Sequence, residues 1–529
     1  MTLKTSTGLA ASALLSLAGS SALAQFESRW AGTGDFAYHT VDALSASTAN
    51  PSRLLVAAGS ALQPGTPCAL DLSFWGSTGW QDAFGRRLWR LQGTNSWVQP
   101  TQIQQLPGGD YLVAARGSDP TNGDGAILMR FNSNLNHVWN YSHRDNDPNR
   151  GEPFAIPLAS GKVLMVTPAS GYGSRVVASD QTGPTGMWTR SYTDTLGADV
   201  LFTDGVQLPT GVVLLVGSYR LGASFSSEGC ILAIDPATNG TPLGLWTYSE
   251  PGWAFSDFRS ATLDPTGQTL FVSGVLANVG FPSFSTNAWA VKVNVSPFST
   301  MAPQAAAWYI ADFVPAKRGM AFRPGTPDEL AIAGSHHDFT MAKSARVSAA
   351  SLGNLRLEKF GQGVPPYTNF ATGTLTPAGD QVLVGTYRLT SAAATQGYVV
   401  ATNAAGVTSC SETLTAIADA AGVNFTVRTP IYVPPTVPPT APPAIFQRSI
   451  VQESILIQLP AGPYCGDRLC TPDYNEDGNV DQDDVLYLLN VIGGGENPTG
   501  ADPDFNQDGN VDQDDVSALI SVVAGGDCP

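Results

Sequence analysis

An acidic phrase of thirteen residues occurs twice near the C-terminus, as DYNEDGNVDQDDV from Asp473 and as DFNQDGNVDQDDV from Asp504. Counted from the first Asp of each copy, oxygen-bearing residues fall at positions 1, 3, 5, 7, 9 and 12, and a glycine falls at position 6. They are Asp473, Asn475, Asp477, Asn479, Asp481 and Asp484, and then Asp504, Asn506, Asp508, Asn510, Asp512 and Asp515. This spacing surrounds Ca²⁺ with hard oxygen ligands, and such crowded carboxylates repel one another without a cation. A solvated acidic loop would not require the ordered spacing, so the sequence predicts two calcium ions per chain.

The residues around the two loops favour one helix after each loop and none before it. Pro472 and Pro503 precede the loops, and a residue before proline disfavours helix. Apolar helical patterns follow, VLYLLNVI from Val485 and VSALISVV from Val516. Two EF-hand-like loops with Asp at position 12, each followed by one helix, resemble the type I dockerin module, and the resemblance covers residues 465–529.

The resemblance implies a small all-α calcium-binding module that attaches a secreted protein to a cohesin-like domain or to a cell-surface component. In that family, loop positions 10 and 11 face the cohesin and often hold small hydroxyl residues. Here the expected docking residues are Gln482, Asp483, Gln513 and Asp514. These residues are Gln and Asp instead of small hydroxyl residues, and this difference puts binding of a familiar cohesin partner in question. The family often carries polysaccharide-degrading enzymes, which implies a polysaccharide-degradation context.

The negative charge of the chain is concentrated at its C-terminal end. The whole chain has a net charge of −17, and residues 465–529 hold fifteen acidic residues and one basic residue, so this segment carries −14 and the rest about −3. A nucleic-acid binder would need a basic face. The composition therefore excludes nucleic acid as the expected partner.

The N-terminus has the pattern of a secretory signal peptide. A basic residue, Lys4, precedes an apolar run and the small residues Ala22 and Ala24, the order typical of a cleaved leader. Residues 1–24 are therefore predicted to be a signal peptide, and the mature protein to be extracellular. No other stretch reaches the ~18 apolar residues of a membrane span.

The middle of the chain repeats an apolar strand preceded by a turn. The matching apolar positions are Leu54, Leu112, Leu164, Leu214, Leu270, Leu330 and Val382, spaced by 50 to 60 residues. Each interval has room for four short strands, and four-stranded units at this period are typical of β-propeller blades. The expected fold is mainly β, a seven-bladed β-propeller over residues 25–428. Its rhythm resembles kelch-type or quinoprotein-type propellers, although the kelch signature is absent.

Tryptophan recurs in the predicted fourth strand of five successive repeats, at Trp89, Trp139, Trp188, Trp246 and Trp308. One large aromatic residue per blade is expected to fill the gap between neighbouring sheets; the competing interpretation is a platform on which sugars stack. Aromatic residues in loop-like sequence are the better candidates for polysaccharide contact. They are Phe74, Trp75, Trp80 and Trp253.

The sequence contains no recognisable catalytic motif. There is no G-x-S-x-G elbow, P-loop or H-E-x-x-H, and the pair His336-His337 is interpreted as a polar loop. The carboxylates Asp110, Asp124 and Asp204 form a glycosidase pair only if the fold brings two of them together. Docking is thus the leading prediction. The alternatives are that the propeller is a carbohydrate-active enzyme, a glycoside hydrolase or lyase, or that the whole is a calcium-stabilised structural surface protein.

Residues 429–464 begin with TPIYVPPTVPPTAPPA and are predicted to be a proline-rich linker, because dense proline favours an extended spacer. Export permits disulfides, and no C-x-x-C spacing indicates a zinc or redox centre. The chain has six cysteines, and Cys465, Cys470 and Cys528 flank the acidic module. We expect Cys528 to pair with Cys465 or Cys470, and the sequence leaves that choice open.

Overall fold

The chain of 529 residues divides into two compact units, Met1–Gly462 and Pro463–Pro529. The computed structural model describes residues 26–30, 38–46, 54–61, 68–75, 86–92, 96–144, 152–169, 173–192, 199–220, 226–250, 253–280, 283–295, 301, 303–309, 313–323, 325, 328–336, 341–352, 354–360, 367–375, 380–388, 396–403, 405–408, 412–413, 419–421, 426–428, 445–448, 450–453, 463–465, 474–475, 480–499, 503, 505 and 511–524. The predicted signal peptide lies outside them. No helix among these residues is long and apolar enough to cross a membrane.

The first unit consists mainly of antiparallel strands. After β1 (Phe26–Trp30), sheet 1 contains β2 (Tyr38–Ala46), β3 (Leu54–Ala61), β4 (Cys68–Trp75) and β5 (Arg86–Leu91). Sheet 2 contains β6 (Trp97–Gln105), β7 (Tyr111–Asp119), β8 (Gly123–Phe131) and β9 (His137–Arg144). Sheet 3 contains β10 (Phe154–Pro157), β11 (Lys162–Ala169), β12 (Gly173–Asp180) and β13 (Gly183–Tyr192).

The same pattern of four strands continues along the chain. Sheet 4 contains β14 (Asp199–Gln207), β15 (Val213–Arg220), β16 (Ser227–Asp235) and, after a 3-10 turn (Pro236–Thr238), β17 (Thr241–Ser249). Sheet 5 contains β18 (Phe255–Leu263), β19 (Thr269–Gly280), β20 (Ser283–Asn294) and β21 (Pro303–Tyr309). Sheet 6 contains β22 (Phe313–Arg323), β23 (Glu329–His336), β24 (Ala342–Ser348) and β25 (Asn354–Phe360). Sheet 7 contains β26 (Tyr367–Leu375), β27 (Gln381–Arg388), β28 (Gln396–Ala401) and β1, which pairs antiparallel with β28.

The prediction of a mainly β chain is confirmed, and each of the seven apolar positions lies on the second strand of its sheet, in β3, β7, β11, β15, β19, β23 and β27. The first strands contact one another in order: β2 with β6, β6 with β10, and so on to β26, which contacts β2 again. The contacts between first strands therefore form a closed circuit.

The hydrophobic core lies between successive sheets. In β11, Leu164 and Val166 pack toward sheet 4, whereas Val163 and Met165 pack toward sheet 2. Successive strand residues point to opposite faces, so a strand covered on both faces is apolar at every position. This explains why the second strands appear as continuous apolar runs in the sequence.

The first strands carry irregularities at matching places. One residue interrupts the register of β2, β6, β14, β18 and β26 with the second strand of the same sheet. In β22 the interruption is longer, because Pro315 pairs with Gly334 and the next pair is Met320 with Ile332. We refer to the four intervening residues, 316–319, as the β22 excursion. Bulges of this kind redirect side chains.

In the described part of the first unit, the chain after sheet 7 adds a fifth strand to five of the sheets. These strands are β29 (Glu412–Thr413) beside β25, β30 (Asp419–Ala421) beside β21, β31 (Thr426–Arg428) beside β17, β32 (Ile445–Phe446) beside β9 and β33 (Ile450–Glu453) beside β5. The segment therefore follows the sheets in the order 6, 5, 4, 2 and 1. Both β32 and β33 lie inside the range predicted to be a linker, so at least these residues are strands of the first unit. Their partners are hundreds of residues away, and a local proline pattern could not reveal them.

The described part of the second unit contains β34 (Pro463–Cys465), α1 (Gln482–Ile492) and α2 (Gln513–Val523). Both helices occur where the apolar patterns predicted them, but each begins three residues earlier than its pattern. A small core joins them through residues that are repeated at the same spacing as the acidic phrase. They are Tyr474 and Phe505, Leu488 and Leu519, and Val485 and Val516.

Candidate functional site

Each helix of the second unit begins with the same capping arrangement. Asp481 is the N-cap of α1, where its side chain accepts a hydrogen bond from Asp483 N, and Asp484 Oδ2 accepts one of 2.9 Å from Asp481 N. In α2, Asp512 and Asp515 repeat this reciprocal capping box. Carboxylates at helix N-termini accept hydrogen bonds from main-chain N–H groups and interact favourably with the positive end of the helix dipole.

The two aspartates at position 12 of the predicted calcium loops are fully buried. Asp484 and Asp515 each have 0% exposure, which is unusual for a charged side chain. The oxygen Asp484 Oδ1 also accepts a hydrogen bond of 3.1 Å from Asn475 N, so both oxygens of this carboxylate are held by the loop backbone. A carboxylate has about four acceptor sites, and two of them are used here by N–H donors.

Five of the predicted calcium ligands fall within the described residues: Asn475, Asp481, Asp484, Asp512 and Asp515. The other seven, Asp473, Asp477, Asn479, Asp504, Asn506, Asp508 and Asn510, lie outside them. Among the described residues there is no group of three or more His, Cys, Asp or Glu that could hold a metal ion. The calcium prediction therefore rests on the sequence pattern and on the buried aspartates.

The four predicted docking residues, Gln482, Asp483, Gln513 and Asp514, are exposed in the first turns of α1 and α2. Exposed apolar side chains follow them on the same helical stripe, at Leu486 and Leu489 in α1 and at Ile520 in α2. Leu489 and Ile520 occupy equivalent positions, and Ser517 stands where α1 has Leu486. Each helix thus presents a mixed polar and apolar stripe to solvent.

The disulfide prediction stays a prediction, because Cys470 and Cys528 lie outside the described residues and only the backbone of Cys465 is described, in β34. Cys230, in the core of the first unit, is a buried free thiol. The pKa of the Cys230 thiol is raised, and burial is the main cause. This thiol is chemically unreactive in that form.

Four of the five tryptophans of the fourth strands pack between sheets, as expected, and the side chain of the fifth, Trp308, lies outside the description. Trp89, Trp139 and Trp246 are buried in the cores that their sheets share with the next sheet, and Trp188 packs against the core between sheets 3 and 4. Among the loop aromatics, Trp253 is half-buried and packs against the core between sheets 4 and 5. The side chains of Phe74 and Trp75 and the whole of Trp80 lie outside the description.

The carboxylates considered for catalysis do not form one pair. Asp110 precedes β7 and binds Arg130 with an Oδ2–Nη2 distance of 2.7 Å, whereas Asp124 lies opposite Ser118 at the other end of the same ladder. Seven residues of strand, ~23 Å, separate the two ends. Asp204 belongs to sheet 4, far along the chain. His336 ends β23, and His337 lies outside the described residues.

Asp204 is a buried link between sheets 4 and 5. Its Oδ2 accepts hydrogen bonds from Ala261 N at 2.8 Å and from the Ser260 hydroxyl at 3.3 Å, and its Oδ1 accepts one from Gly205 N at 2.8 Å. Burial raises the pKa of Asp204 to about 6, against the opposing effect of these donors and of Arg318. Ser260 in turn accepts a hydrogen bond from Met320 N, which continues the connection to sheet 6.

A cluster of charged residues that the sequence did not reveal connects several of the sheets. The β22 excursion supplies Lys317 and Arg318, and Arg318 has a left-handed backbone with φ of 55°, which a residue other than glycine rarely adopts. The carbonyl oxygen of Arg318 accepts a hydrogen bond of 3.0 Å from the Thr372 hydroxyl. This hydrogen bond connects the β22 excursion to the neighbouring sheet 7.

The guanidinium of Arg318 connects three other sheets. It donates to Thr203 O at 2.9 Å and to Thr101 O at 2.6 Å, and its Nη2 lies 3.2 Å from Glu152 Oε2. Lys317 Nζ lies 3.3 Å from Glu152 Oε1. Arg259 donates to Pro315 O at 3.3 Å, and Arg259 and Arg116 both act electrostatically on Glu152. We refer to Arg116, Glu152, Arg259, Lys317 and Arg318 as the central cluster.

The charges of the central cluster affect one another's pKa values. Burial alone would raise the pKa of Glu152, but Lys317, Arg318 and Arg116 together hold it below its ordinary value. Burial is the main cause that lowers the pKa of Lys317 and of Arg259. The cluster therefore contains an ionised carboxylate beside partly desolvated cations, an arrangement suited to binding a charged polar ligand.

No protein-family model and no curated protein matches this chain. Among solved structures, the chain is similar to the hydrazine synthase of Kuenenia stuttgartiensis, with 12% identity, 64% of this chain and 91% of that chain covered, and a TM-score of 0.40. It is also similar to an α-L-arabinofuranosidase from Fusarium graminearum, with 10% identity, coverage of 72% and 98%, and a TM-score of 0.39. A protein of unknown function from Dyadobacter fermentans gives 11% identity, coverage of 72% and 98%, and a TM-score of 0.38. At such scores these likenesses carry no argument about what this chain does.

Proposed function

We propose that this is an exported protein whose C-terminal unit, a dockerin-like module, binds two calcium ions and docks the first unit to a cohesin-like domain of an extracellular partner. The observation that carries the proposal is the pair of fully buried aspartates, Asp484 and Asp515, at the same place in two copies of one loop–helix unit. A buried carboxylate is costly unless a cation or several donors compensate it. The C-terminal segment, at −14, has almost no basic residues to do so.

The residues present fit calcium as the compensating cation. Calcium takes six to eight oxygen ligands, including carboxylates and main-chain carbonyls, and each loop offers such oxygens at the required spacing. Asp484 and Asp515 would hold the ion at the helix end of each loop. Bound calcium would supply charge neutralisation and order to the loops, and we assign it no chemical step.

The helix stripes support docking as the use of this module. Leu489 and Ile520 are 51% and 50% exposed, which places large apolar side chains in water beside the predicted docking residues. Exposed apolar residues rimmed by polar ones are typical of protein interaction sites. Because the two stripes are related by the sequence repeat, a partner that recognises one stripe meets a similar surface on the other.

We also infer that the seven sheets are the blades of one β-propeller, closed by the pairing of β1 with β28. The circuit of contacts from β2 through β26 and back to β2 supports this arrangement. The N-terminal strand β1 completes sheet 7 together with β26, β27 and β28. This pairing joins the two ends of the ring, so the circuit has no open end. The propeller would be the cargo that the module attaches.

The proposal is tested by capture from an envelope fraction of the producing organism with the full chain as bait, in calcium and in chelator. We expect a protein with a cohesin-like domain to be captured only in calcium. Leu489→Asp combined with Ile520→Asp should abolish capture, whereas Leu243→Asp, at an apolar residue of the first unit with 42% exposure, should leave it unchanged. Capture that persists in chelator, or that the stripe variants do not reduce, contradicts the proposal.

The calcium part has its own matched variants. Asp484→Ala and Asp515→Ala should each remove one of two ions measured by calorimetry, with wild-type dissociation constants of about 10⁻⁶ to 10⁻⁴ M. Asp483→Ala removes the same charge from the same turn at an exposed position and should retain both ions. Equal loss of calcium in Asp483→Ala and Asp484→Ala would mean that the buried aspartate is not a ligand.

A further inference from the structure

The two helices of the second unit present the same exposed face with different chemistry. Residues spaced four, three and four apart lie on one side of a helix, and every residue at these positions in the α1 and α2 copies is exposed. They form the α1 stripe, Gln482, Leu486, Leu489 and Gly493, and the α2 stripe, Gln513, Ser517, Ile520 and Ala524.

The α1 stripe is more apolar than the α2 stripe. Leu486 and Leu489 are 53% and 51% exposed, whereas the α2 stripe has one large apolar side chain, Ile520, with 50% exposure. Ser517 stands where α1 has Leu486, so a hydroxyl group replaces a branched apolar side chain within the stripe. Exposed apolar residues rimmed by polar ones are typical of interaction sites, and α1 fits this description better than α2.

Helix α1 is also braced by the segment that follows it. The Tyr487 hydroxyl donates a hydrogen bond of 3.1 Å to Asn497 Oδ1 and accepts one of 3.0 Å from Thr499 N. The equivalent residue of α2 is Ala518, whose side chain cannot form such hydrogen bonds. A surface that is fixed before a partner arrives loses less conformational entropy on binding, so the bracing favours α1 as well.

The charge of the second unit indicates what kind of surface would cover the α1 stripe. No Lys or Arg occurs after Arg468, and the exposed carboxylates of Asp481 and Asp483 flank Gln482 at the start of α1. Two copies of a unit that carries −14 would repel each other. The complementary surface is therefore an apolar pocket with basic side chains on its rim, on a different protein.

We infer that the α1 stripe is the primary docking surface, and that the partner receives Leu486 and Leu489 in an apolar pocket rimmed by basic side chains. This inference rests on the proposed function, because it takes the cohesin-like domain as the partner, and it adds which helix that domain prefers. Leu486 determines the preference. Burying a leucine that is half exposed changes affinity about fivefold to tenfold, so the α2 stripe binds that much more weakly.

The test measures the affinity of the full chain, in calcium, for the isolated cohesin-like domain of the partner that the envelope capture identifies. Leu489→Asp should weaken binding about fivefold to tenfold, to the level of the α2 stripe, whereas Ile520→Asp should change it less than about 1.3-fold. Leu243→Asp adds the same charge to the first unit and should leave the affinity unchanged. The wild-type affinity should also fall as salt rises, because salt screens the attraction to a basic rim.

An exchange of residues between the two stripes should move the preference to α2. Leu486→Ser makes the stripes alike and should weaken binding about threefold to fivefold, and Ser517→Leu added to it should restore the wild-type affinity. In this double variant, Ile520→Asp should cost what Leu489→Asp costs in the wild type, and Leu489→Asp should cost almost nothing. Two calcium ions per chain in each variant would show that the module is intact.

The outcomes separate this inference from the proposal on which it rests. Equal losses from Leu489→Asp and Ile520→Asp, with calcium-dependent binding retained, overturn the preference and leave docking intact. A wild-type chain that binds no cohesin-like domain in calcium overturns both. Sedimentation of the chain alone should show a monomer, and a dimer that Leu486→Ser dissociates would assign the α1 stripe to self-association and overturn the inference.

Discussion

Arg318 Nη2 donates a 2.6 Å hydrogen bond to the main-chain oxygen of Thr101, which lies 217 residues earlier in the chain. The same guanidinium donates to Thr203 O in sheet 4 and pairs with Glu152 before β10. One side chain from sheet 6 thus connects sheets 2, 3 and 4. The left-handed backbone of Arg318 is compatible with this role, because strained residues persist where the surrounding structure holds them.

Replacing Arg318 is expected to destabilise the first unit. Arg318→Met removes the donor from two main-chain oxygens and leaves Glu152 with Lys317 as its ion-pair partner. This should lower the free energy of unfolding by about 2–4 kcal/mol. The measurement is the thermal midpoint of the first unit. Arg130→Met is the control, because Arg130 also pairs with a carboxylate but its side chain is 22% exposed, and it should cost about 1 kcal/mol or less. Equal shifts in both variants would show that Arg318 has no special bracing role.

Arg448, which lies between β32 and β33, is expected to hold this part of the late segment against sheet 2. Its side chain has 0% exposure, pairs with Asp119 and donates to Ser142 and to Gly123 O. Arg448→Leu leaves a buried carboxylate unpaired and should cost about 3–5 kcal/mol. A double-mutant cycle with Asp119→Asn should show a coupling of about 1–3 kcal/mol. Additive effects of the two substitutions would contradict the pairing.

Asp204 is expected to make stability fall as the pH rises. Its folded pKa, about 6, lies above the ordinary value of 3.8, so the folded state retains a proton that the unfolded state releases. Stability is highest below the unfolded pKa and decreases as the pH rises to the folded pKa, by at most about 3 kcal/mol for two pKa units. The difference in thermal midpoint between wild type and Asp204→Asn, measured from pH 4 to pH 8, should change mainly between pH 4 and pH 6. A difference that is constant with pH would contradict this.

Removal of calcium is expected to unfold the second unit and leave the first intact. A unit with two short helices and −14 charge has little apolar surface to bury, so ligand binding supplies folding energy. Limited proteolysis in EDTA should therefore degrade the second unit first. Because β33 ends at Glu453 and pairs with β5, the protected fragment should extend past Glu453, beyond the proline-rich residues. Equal digestion of both units, or a fragment that ends near residue 430, would contradict this division.

The sequence alone determined the features that arise from local patterns. The seven apolar repeats predicted the second strands, since a strand buried on both faces is apolar throughout. The recurring tryptophans predicted the packing between sheets, because each lies on a fourth strand. The acidic phrase and the apolar run after it predicted α1 and α2, and the N-terminal Asp of each helix follows from capping. Calcium binding, docking and export remain predictions of the same sequence.

Only the tertiary structure revealed the central cluster and the partners of the late strands. Glu152 and Arg318 are 166 residues apart, and Arg448 and Asp119 are 329 apart. Periodicity reports what neighbours along the chain have in common, whereas these contacts depend on closing a circuit of sheets and on a four-residue excursion in one strand. The linker prediction was incomplete for the same reason. The prolines indicated an extended segment, but β32 and β33 pair with the edge strands of sheets 2 and 1, and those edge strands exist only after the sheets have formed.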